Sequence, residues 1–93
     1  MSAEDTMRNN LRALAWAYAR ATKHSLATVS KDIHGSSQFF DKYFSGEGST
    51  RIDTYFLMIN KFRARWPEGL DWPETEPISR LGKKLDEGFV DAP

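Results

Sequence analysis

The chain has 93 residues, a length that suits one small domain whose core buries only about 60–65% of the surface exposed by the unfolded chain. It contains no cysteine, so disulfides and cysteine-ligated zinc are excluded, and no apolar run is long enough to span a membrane. The net charge is zero, but residues 1–66 carry ten Lys/Arg and six Asp/Glu, whereas residues 67–93 carry three and seven. A basic body before an acidic segment is compatible with nucleic-acid binding, and the polar N-terminal residues, unlike a signal peptide, indicate a cytoplasmic protein.

A first helix is predicted from about residue 4 to residue 22. Apolar side chains recur there at three- and four-residue spacing, and Ser2 with Asp5 forms a candidate capping box. Trp16 lies off the apolar side of this helix. Two interpretations of Trp16 stay open: an aromatic that is partly exposed or covered by the C-terminal segment, and a contact between two subunits.

Residues 25–46 are predicted to form two short helices separated by a break of small residues at positions 34–36. Ser25 is a suitable N-cap for the first of them, because its hydroxyl can accept from the free amides of the first turn. Gly35 can adopt the positive φ at which a helix stops. Two helices joined so tightly must cross at a steep angle, which is typical of a helix-turn-helix.

The second short helix is predicted over residues 37–45, with Ser36 or Ser37 as its N-cap and a phenylalanine-rich side facing the core. Its opposite side is polar and continuous. Short or flexible hydrogen-bonding side chains of this kind can reach base edges in a major groove. The candidate base-reading residues are Ser36, Ser37, Gln38, Asp41 and Lys42.

Residues 8–66 resemble the DNA-binding domains of the family of the lambda repressor and Cro, also called the xenobiotic-response-element type. The residues that carry this resemblance are, in order, Val29, Ser30, Ile33, Phe40, Tyr43 and Gly46. They match an apolar and then a small residue in the second helix, an apolar residue that closes it, apolar residues in the third helix and a glycine after it. This chain departs from the family pattern at His34, where the turn usually has glycine, and in a third helix that is unusually rich in phenylalanine.

The resemblance implies an all-α, compact four- to five-helix bundle in which a helix-turn-helix binds double-stranded DNA. Proteins of this family usually act as dimeric transcriptional repressors or activators and are often encoded by phages and mobile elements. Gln38 is the strongest base-reading candidate, because its amide can both donate to and accept from adenine. The candidates for phosphate contacts are Lys23, Ser25, Lys31, Ser45 and Arg51.

The clearest helix is predicted over residues 51–66, where apolar side chains follow a 3.6-residue period. Thr50 with Asp53 forms a candidate capping box at its start. Pro67 must end the helix, because its ring clashes with the preceding turn and it has no amide donor.

A second apolar surface is predicted outside the core. Leu57 points away from the apolar stripe of the fourth helix, and Met58 lies at its margin. Together with Trp16 and with Trp72 of the tail, these residues are the candidates for a dimer or tail contact.

Residues 67–93 are predicted to form a proline-rich, acidic extension of a helix-turn-helix domain at residues 1–66. Three prolines disfavour regular structure up to residue 77, although Leu70 and Trp72 could fold back onto the body as apolar anchors. Apolar residues at three- and four-residue spacing then indicate a short helix over residues 78–88.

The alternative to a DNA-binding regulator is a protein-interaction module, similar to antitoxins that join a DNA-binding domain to a partner-binding acidic segment. Residues 67–93 would then bind a protein partner. An enzyme is not predicted, because the chain has no cysteine nucleophile, no glycine-rich phosphate loop and no HExxH motif. Neither His24 nor His34 has further candidate ligands nearby in the sequence, so we expect no metal and no cofactor.

Overall fold

The computed structural model of the chain describes residues 2–78, which form four α-helices and no β-strand. The helices are α1 (Ala3–Thr22), α2 (Leu26–Ile33), α3 (Phe39–Phe44) and α4 (Ile52–Arg65). The predicted all-α fold class is therefore confirmed for this part of the chain. None of these helices is both long enough and apolar enough to cross a membrane.

The two helices at the start of the chain begin and end where local sequence signals place them. The Ser2 hydroxyl accepts from the Asp5 amide at 3.1 Å at the start of α1. The Ser25 hydroxyl accepts from the Thr28 amide at 3.1 Å at the start of α2, so the predicted cap at Ser25 and the Ser2 half of the predicted capping box are confirmed, while the Asp5 carboxylate accepts from Arg8. Gly35 follows α2 with a φ of 103°, a left-handed conformation that most residues avoid.

α3 is shorter than predicted and begins later. Its N-cap is Gln38, whose side chain makes no capping hydrogen bond, so the expected caps Ser36 and Ser37 are wrong. The Phe39 amide instead donates to the Ser36 carbonyl at 3.3 Å, which closes a turn of four residues before the helix starts. The three candidate base-reading residues at positions 36–38 therefore lie ahead of the helix and not on its side.

α4 has the predicted extent to within one residue at each end and stops just before Pro67. Its N-cap is Arg51 and no side chain caps its first turn, so the predicted capping box of Thr50 and Asp53 is wrong. The Thr50 amide donates instead to Oε1 of Glu4 in α1 at 3.3 Å. A contact with a distant helix has thus replaced the local cap.

One hydrophobic core joins all four helices and the segment that follows them. Met58, expected on a second apolar surface, is only 1% exposed and belongs to this core, so that prediction is wrong. The stripe of α4 is wide enough to bury Met58 because α4 contacts both α1 and α2. The buried apolar residues are Met7, Leu11, Leu14, Ala15, Tyr18, Ala19, Val29, Ile33, Phe40, Tyr43, Tyr55, Met58, Ile59, Phe62 and Ile78.

Residues 67–77 form no helix and no strand, as their prolines predict, but they pack on the helical body. The ring centroid of Trp72 lies 4.8 Å from that of Trp66, so the predicted return of Trp72 onto the body is confirmed. The buried Asn10 side chain donates to the Glu76 carbonyl at 2.7 Å and accepts from the Glu76 amide at 2.9 Å. These bonds hold the segment along α1. The helix predicted over residues 78–88 lies outside the described residues, except for the buried Ile78.

Candidate nucleic-acid interface

The candidate base-reading residues are all exposed, in two groups. Ser36, Ser37 and Gln38 occupy the turn that leads into α3, whereas Asp41 and Lys42 lie on the outer side of α3 itself. Within residues 2–78, the side chains of Gln38, Asp41 and Lys42 make no hydrogen bond or ion pair. The structure therefore brings together an amide, a carboxylate and an ammonium group on one accessible surface around the start of α3.

The candidate phosphate contacts are exposed as well, but their hydroxyls are already engaged. The Ser25 hydroxyl caps α2, and the Ser45 hydroxyl donates to the Asp41 carbonyl at 2.8 Å. Neither hydroxyl is freely available to a phosphate. Lys23, which ends α1 with a φ of 60°, Lys31 and Arg51 keep exposed side chains.

A groove of about 310 Å³ runs between the turn, α3 and the loop after it. Its wall includes a column of flat rings: His34 stacks on Phe39 with centroids 3.7 Å apart, and Phe39 lies 5.1 Å from Tyr43. Gln38 and Lys42 also line this groove, so the Gln38 amide and the Lys42 ammonium group border open space. Burial, and then the charge of Lys61, lower the pKa of His34 below its ordinary value, which favours the uncharged ring.

The N-terminus of α3 is capped by a residue of α2. Ser30 is completely buried, and its hydroxyl accepts from the Phe40 amide at 3.0 Å. The same hydroxyl donates to the Ser36 carbonyl at 2.6 Å. Phe40 is the second residue of α3, so its amide has no partner inside the helix. Ser30 therefore fastens both the turn and the start of α3 to α2.

The C-terminus of α3 is capped by two arginines of α1. Nε of Arg8 donates to the Tyr43 carbonyl at 2.7 Å, and Nη2 of Arg12 donates to the Phe44 carbonyl at 2.7 Å. The Tyr43 hydroxyl donates to the Glu4 carboxylate one turn earlier on α1. The three α1 residues, Glu4, Arg8 and Arg12, follow one another at four-residue spacing and so share one side of that helix.

The sequence predicts Arg8 and Arg12 only as part of a basic body, and it does not predict Ser30 as a cap of α3. The spacing of Glu4, Arg8 and Arg12 was the available signal, since three charged residues in one row of a helix form a continuous polar strip. For Ser30 the signal was a small hydroxyl residue among buried positions of α2. Neither pattern says which backbone groups the side chains meet.

The candidate dimer or tail contacts have different environments. Trp16 is 48% exposed on α1 and Leu57 is 61% exposed on α4, so both keep large apolar surfaces in contact with solvent. Trp72 is half-buried against Trp66, with the guanidinium of Arg63 4.8 Å from its ring centroid. It serves as a tail contact in this structure.

Comparisons with protein-family models, with curated proteins and with solved structures found no match for this chain. Within residues 2–78, no group of three or more His, Asp or Glu side chains is placed to hold a metal ion. The exposed polar side chains around α3 are therefore the basis of the proposed function.

Proposed function

We propose that this chain binds double-stranded DNA through a helix-turn-helix made of α2, the turn at residues 34–38 and α3. The observation that carries the proposal is the exposure of three polar side chains, Gln38, Asp41 and Lys42, which no other described residue engages. In such a pair the first helix crosses the DNA backbone, and the second presents its N-terminal residues to base edges in the major groove. The start of α3 carries side chains of this kind.

The late start of α3 changes how bases would be read. Gln38 stands at the N-cap, where a recognition helix comes closest to the floor of the groove, and it would pair with adenine through two hydrogen bonds. Asp41 would accept from the amino group of cytosine, and Lys42 would donate to guanine or to a phosphate. A helix of six residues is only about 9 Å long, so one copy would read few base pairs.

Phosphate contacts would supply affinity without sequence choice. Lys31 is exposed near the end of α2, directly before the turn, while Lys23 and Arg51 flank the two short helices. Neutralising phosphates releases counterions, so we expect affinity to fall steeply as salt rises.

A short reading surface favours a homodimer that binds two half-sites about 34 Å apart, which multiplies specificity. Trp16 and Leu57 are the exposed large apolar side chains among the described residues and are our candidates for its interface. We propose that such a dimer acts as a transcriptional regulator. Sedimentation of the protein with and without bound duplex measures the stoichiometry directly.

Selection of bound duplexes from a random library tests the function, because this experiment does not require a known target site. We expect a short enriched sequence. Gln38→Ala should then lose about 1–3 kcal/mol on that duplex and relax base choice at one position. A library with no enriched sequence, or an equal loss on selected and scrambled duplexes for Gln38→Ala, would refute base reading by Gln38.

Lys31→Ala tests the phosphate footprint with the same duplexes. It should weaken selected and scrambled duplexes alike and reduce the salt dependence by about one counterion. Arg20→Ala, an exposed cation in the last turn of α1, is the matched control and should leave the salt dependence unchanged. An unchanged salt dependence in Lys31→Ala would remove Lys31 from the footprint.

In the alternative, an antitoxin-like protein, the acidic segment binds a partner protein, and the exposed Trp16 and Leu57 contact that protein and not a second copy of this chain. Removal of the residues after Ile78 tests it, because this cut keeps the bonds between Asn10 and Glu76 and the buried Ile78 in place. A truncated chain that retains full affinity for the selected duplex would leave the removed segment free for a partner. Loss of both duplex binding and dimer mass would assign that segment to the dimer.

A further inference from the structure

We propose that Arg8 and Arg12 are positioning residues for α3: they fix the orientation of the reading helix from behind and do not contact DNA. The inference rests on the proposed function, because it takes α3 as the helix that reads bases. It also leaves fewer cations for DNA, since two of the ten cations of residues 1–66 are bound to carbonyls of α3 and then lie outside the phosphate footprint.

Arg8 connects three backbone and side-chain groups at once. Its Nε donates to the Tyr43 carbonyl at 2.7 Å, its Nη2 to the Gly48 carbonyl at 3.3 Å and its Nη1 to the Asp5 carboxylate at 3.1 Å. The guanidinium also lies 4.7 Å from the centroid of the Tyr43 ring. Only 14% of the Arg8 side chain is exposed. With three of its five N–H donors engaged and most of its side chain covered, Arg8 has little to offer a phosphate.

Arg12 makes the equivalent contact one turn further along α1. Its Nη2 donates to the Phe44 carbonyl at 2.7 Å, and its guanidinium lies 5.6 Å from the centroid of the Phe44 ring. The last carbonyls of a helix have no partners inside it and carry partial negative charge. The guanidinium groups of Arg8 and Arg12 donate hydrogen bonds to these carbonyls and place positive charge beside their partial negative charge.

A helix of six residues needs this support because isolated helices of fewer than about 12 residues are marginal in water. Ser30 of α2 holds the first turn of α3, and the arginines of α1 hold the last. α3 is therefore clamped at both ends by two different helices. Because α3 touches the rest of the protein over so short a length, loosening one end would tilt the side chains of Asp41 and Lys42.

Arginine-to-lysine substitutions distinguish positioning from phosphate binding. Lysine keeps the positive charge, so it would largely preserve a phosphate contact. Its single ammonium lacks the planar fork by which Arg8 reaches the Tyr43 and Gly48 carbonyls together. Arg8→Lys is the main variant, because Arg8 holds both α3 and the loop at Gly48, and Arg12→Lys is the second, because Arg12 holds α3 through the Phe44 carbonyl. Arg20→Lys is the control, because Arg20 is an exposed cation of α1 whose side chain makes no hydrogen bond or ion pair within residues 2–78.

Amide hydrogen exchange without DNA measures the positioning directly. The amides of Ser45, Gly46 and Glu47 donate to carbonyls of α3 at 3.0–3.3 Å and report on opening of its C-terminal end. We expect exchange at these amides to accelerate by about ten-fold or more in Arg8→Lys, while amides of α4 and the control variant stay unchanged. Unchanged exchange in both Arg8→Lys and Arg12→Lys would overturn the inference, whatever happens with DNA.

Affinity for the selected duplex, measured across a salt series, completes the test. We expect Arg8→Lys and Arg12→Lys to bind roughly ten-fold more weakly with the same salt dependence as the wild-type protein. Full affinity in spite of faster exchange would show that α3 is not positioned by these residues for reading. Arg8→Ala and Arg12→Ala remove the charge and complete the salt series: a salt dependence that falls by about one counterion in either of them would make that arginine a phosphate ligand and would equally overturn the inference. If the wild-type protein selected no duplex, the proposed function would fail, and the exchange data would still decide whether the arginines hold α3.

Discussion

Replacing Ser30 with alanine removes the one hydroxyl that ties the turn and the start of α3 to α2. The Phe40 amide then loses its partner in a buried environment, and an unsatisfied buried donor costs about 1–3 kcal/mol. The Ser36 carbonyl loses one of its two donors but still accepts from the Phe39 amide at 3.3 Å, and because Ser36 is exposed, water can replace the lost bond. Alanine is a better helix former than serine in the interior of α2, which offsets roughly 0.5 kcal/mol. The expected loss in the free energy of unfolding is therefore about 1–2.5 kcal/mol.

Urea denaturation followed by circular dichroism measures this loss. The urea concentration at the unfolding midpoint should fall, while the slope of unfolding free energy against urea concentration stays the same. The melting temperature should drop by about 4–8 °C for each kcal/mol of lost unfolding free energy. Ser37→Ala is the matched control, because Ser37 is exposed in the same turn and makes no side-chain hydrogen bond within residues 2–78. Its effect should stay within about 0.5 kcal/mol. Equal stability of the two variants would refute the cap that we assign to Ser30.

Three further predictions concern stability. Burial, and then the hydrogen bond to the Glu4 carboxylate, raise the pKa of Tyr43, so the contribution of this tyrosine to folding stability is present below the ordinary pKa of about 10 and is lost as pH rises above it. The free energy of unfolding should therefore fall more steeply above pH 10 in the wild-type protein than in Tyr43→Phe. Parallel plots of unfolding free energy against pH for the two proteins would contradict this. Trp72→Ala should cost about 1–2 kcal/mol by urea denaturation, because it removes one ring pair and one cation–π contact; a neutral effect would mean that the tail does not dock there in solution. Met58→Ala should lower the free energy of unfolding by about 2–5 kcal/mol, and Leu57→Ala by less than about 0.5 kcal/mol, because Met58 is buried and Leu57 is exposed. Similar losses in the two variants would contradict the burial of Met58 on the core side of α4.

Most of the helical framework could be predicted because its signals are local. Ser2 and Ser25 bond to amides three residues later in the chain, and Pro67 stops α4 through its own ring. The apolar stripe of α4 has a strong 3.6-residue period. None of these features depends on a distant part of the chain.

The start of α3 could not be predicted from the local sequence, because Ser36 and Ser37 are both preferred N-cap residues whereas Gln38, the observed N-cap, is not. The choice between them is made by Ser30, which lies ten residues before Phe40 and takes the amide that a local cap would have served. Thr50 shows the same effect, since its amide is taken by Glu4 of α1. Tertiary hydrogen bonds here override local ones.

The candidate site was predicted in its composition but not in its electrostatics. Gln38, Asp41 and Lys42 are exposed, as the polar side of the short helix predicts. A count of charges could not reveal that Arg8 and Arg12 are bound to carbonyls of α3, because sequence carries the sign of a charge but not its partner. The surface that we propose for DNA is accordingly less basic than the sequence indicates.

An NMR titration of the isotope-labelled protein with a library-selected duplex tests the central claim most directly. The proposed reading surface predicts that the largest shifts fall on residues 36–45, with the Gln38 side-chain amide among them, and that Lys31 follows at lower amplitude. The indole of Trp16 and the methyl groups of Leu57 should respond only to dimerisation, which a dilution series without DNA measures separately. Shifts centred on Trp16 and Leu57 in the presence of duplex, with residues 36–45 unchanged, would contradict the account.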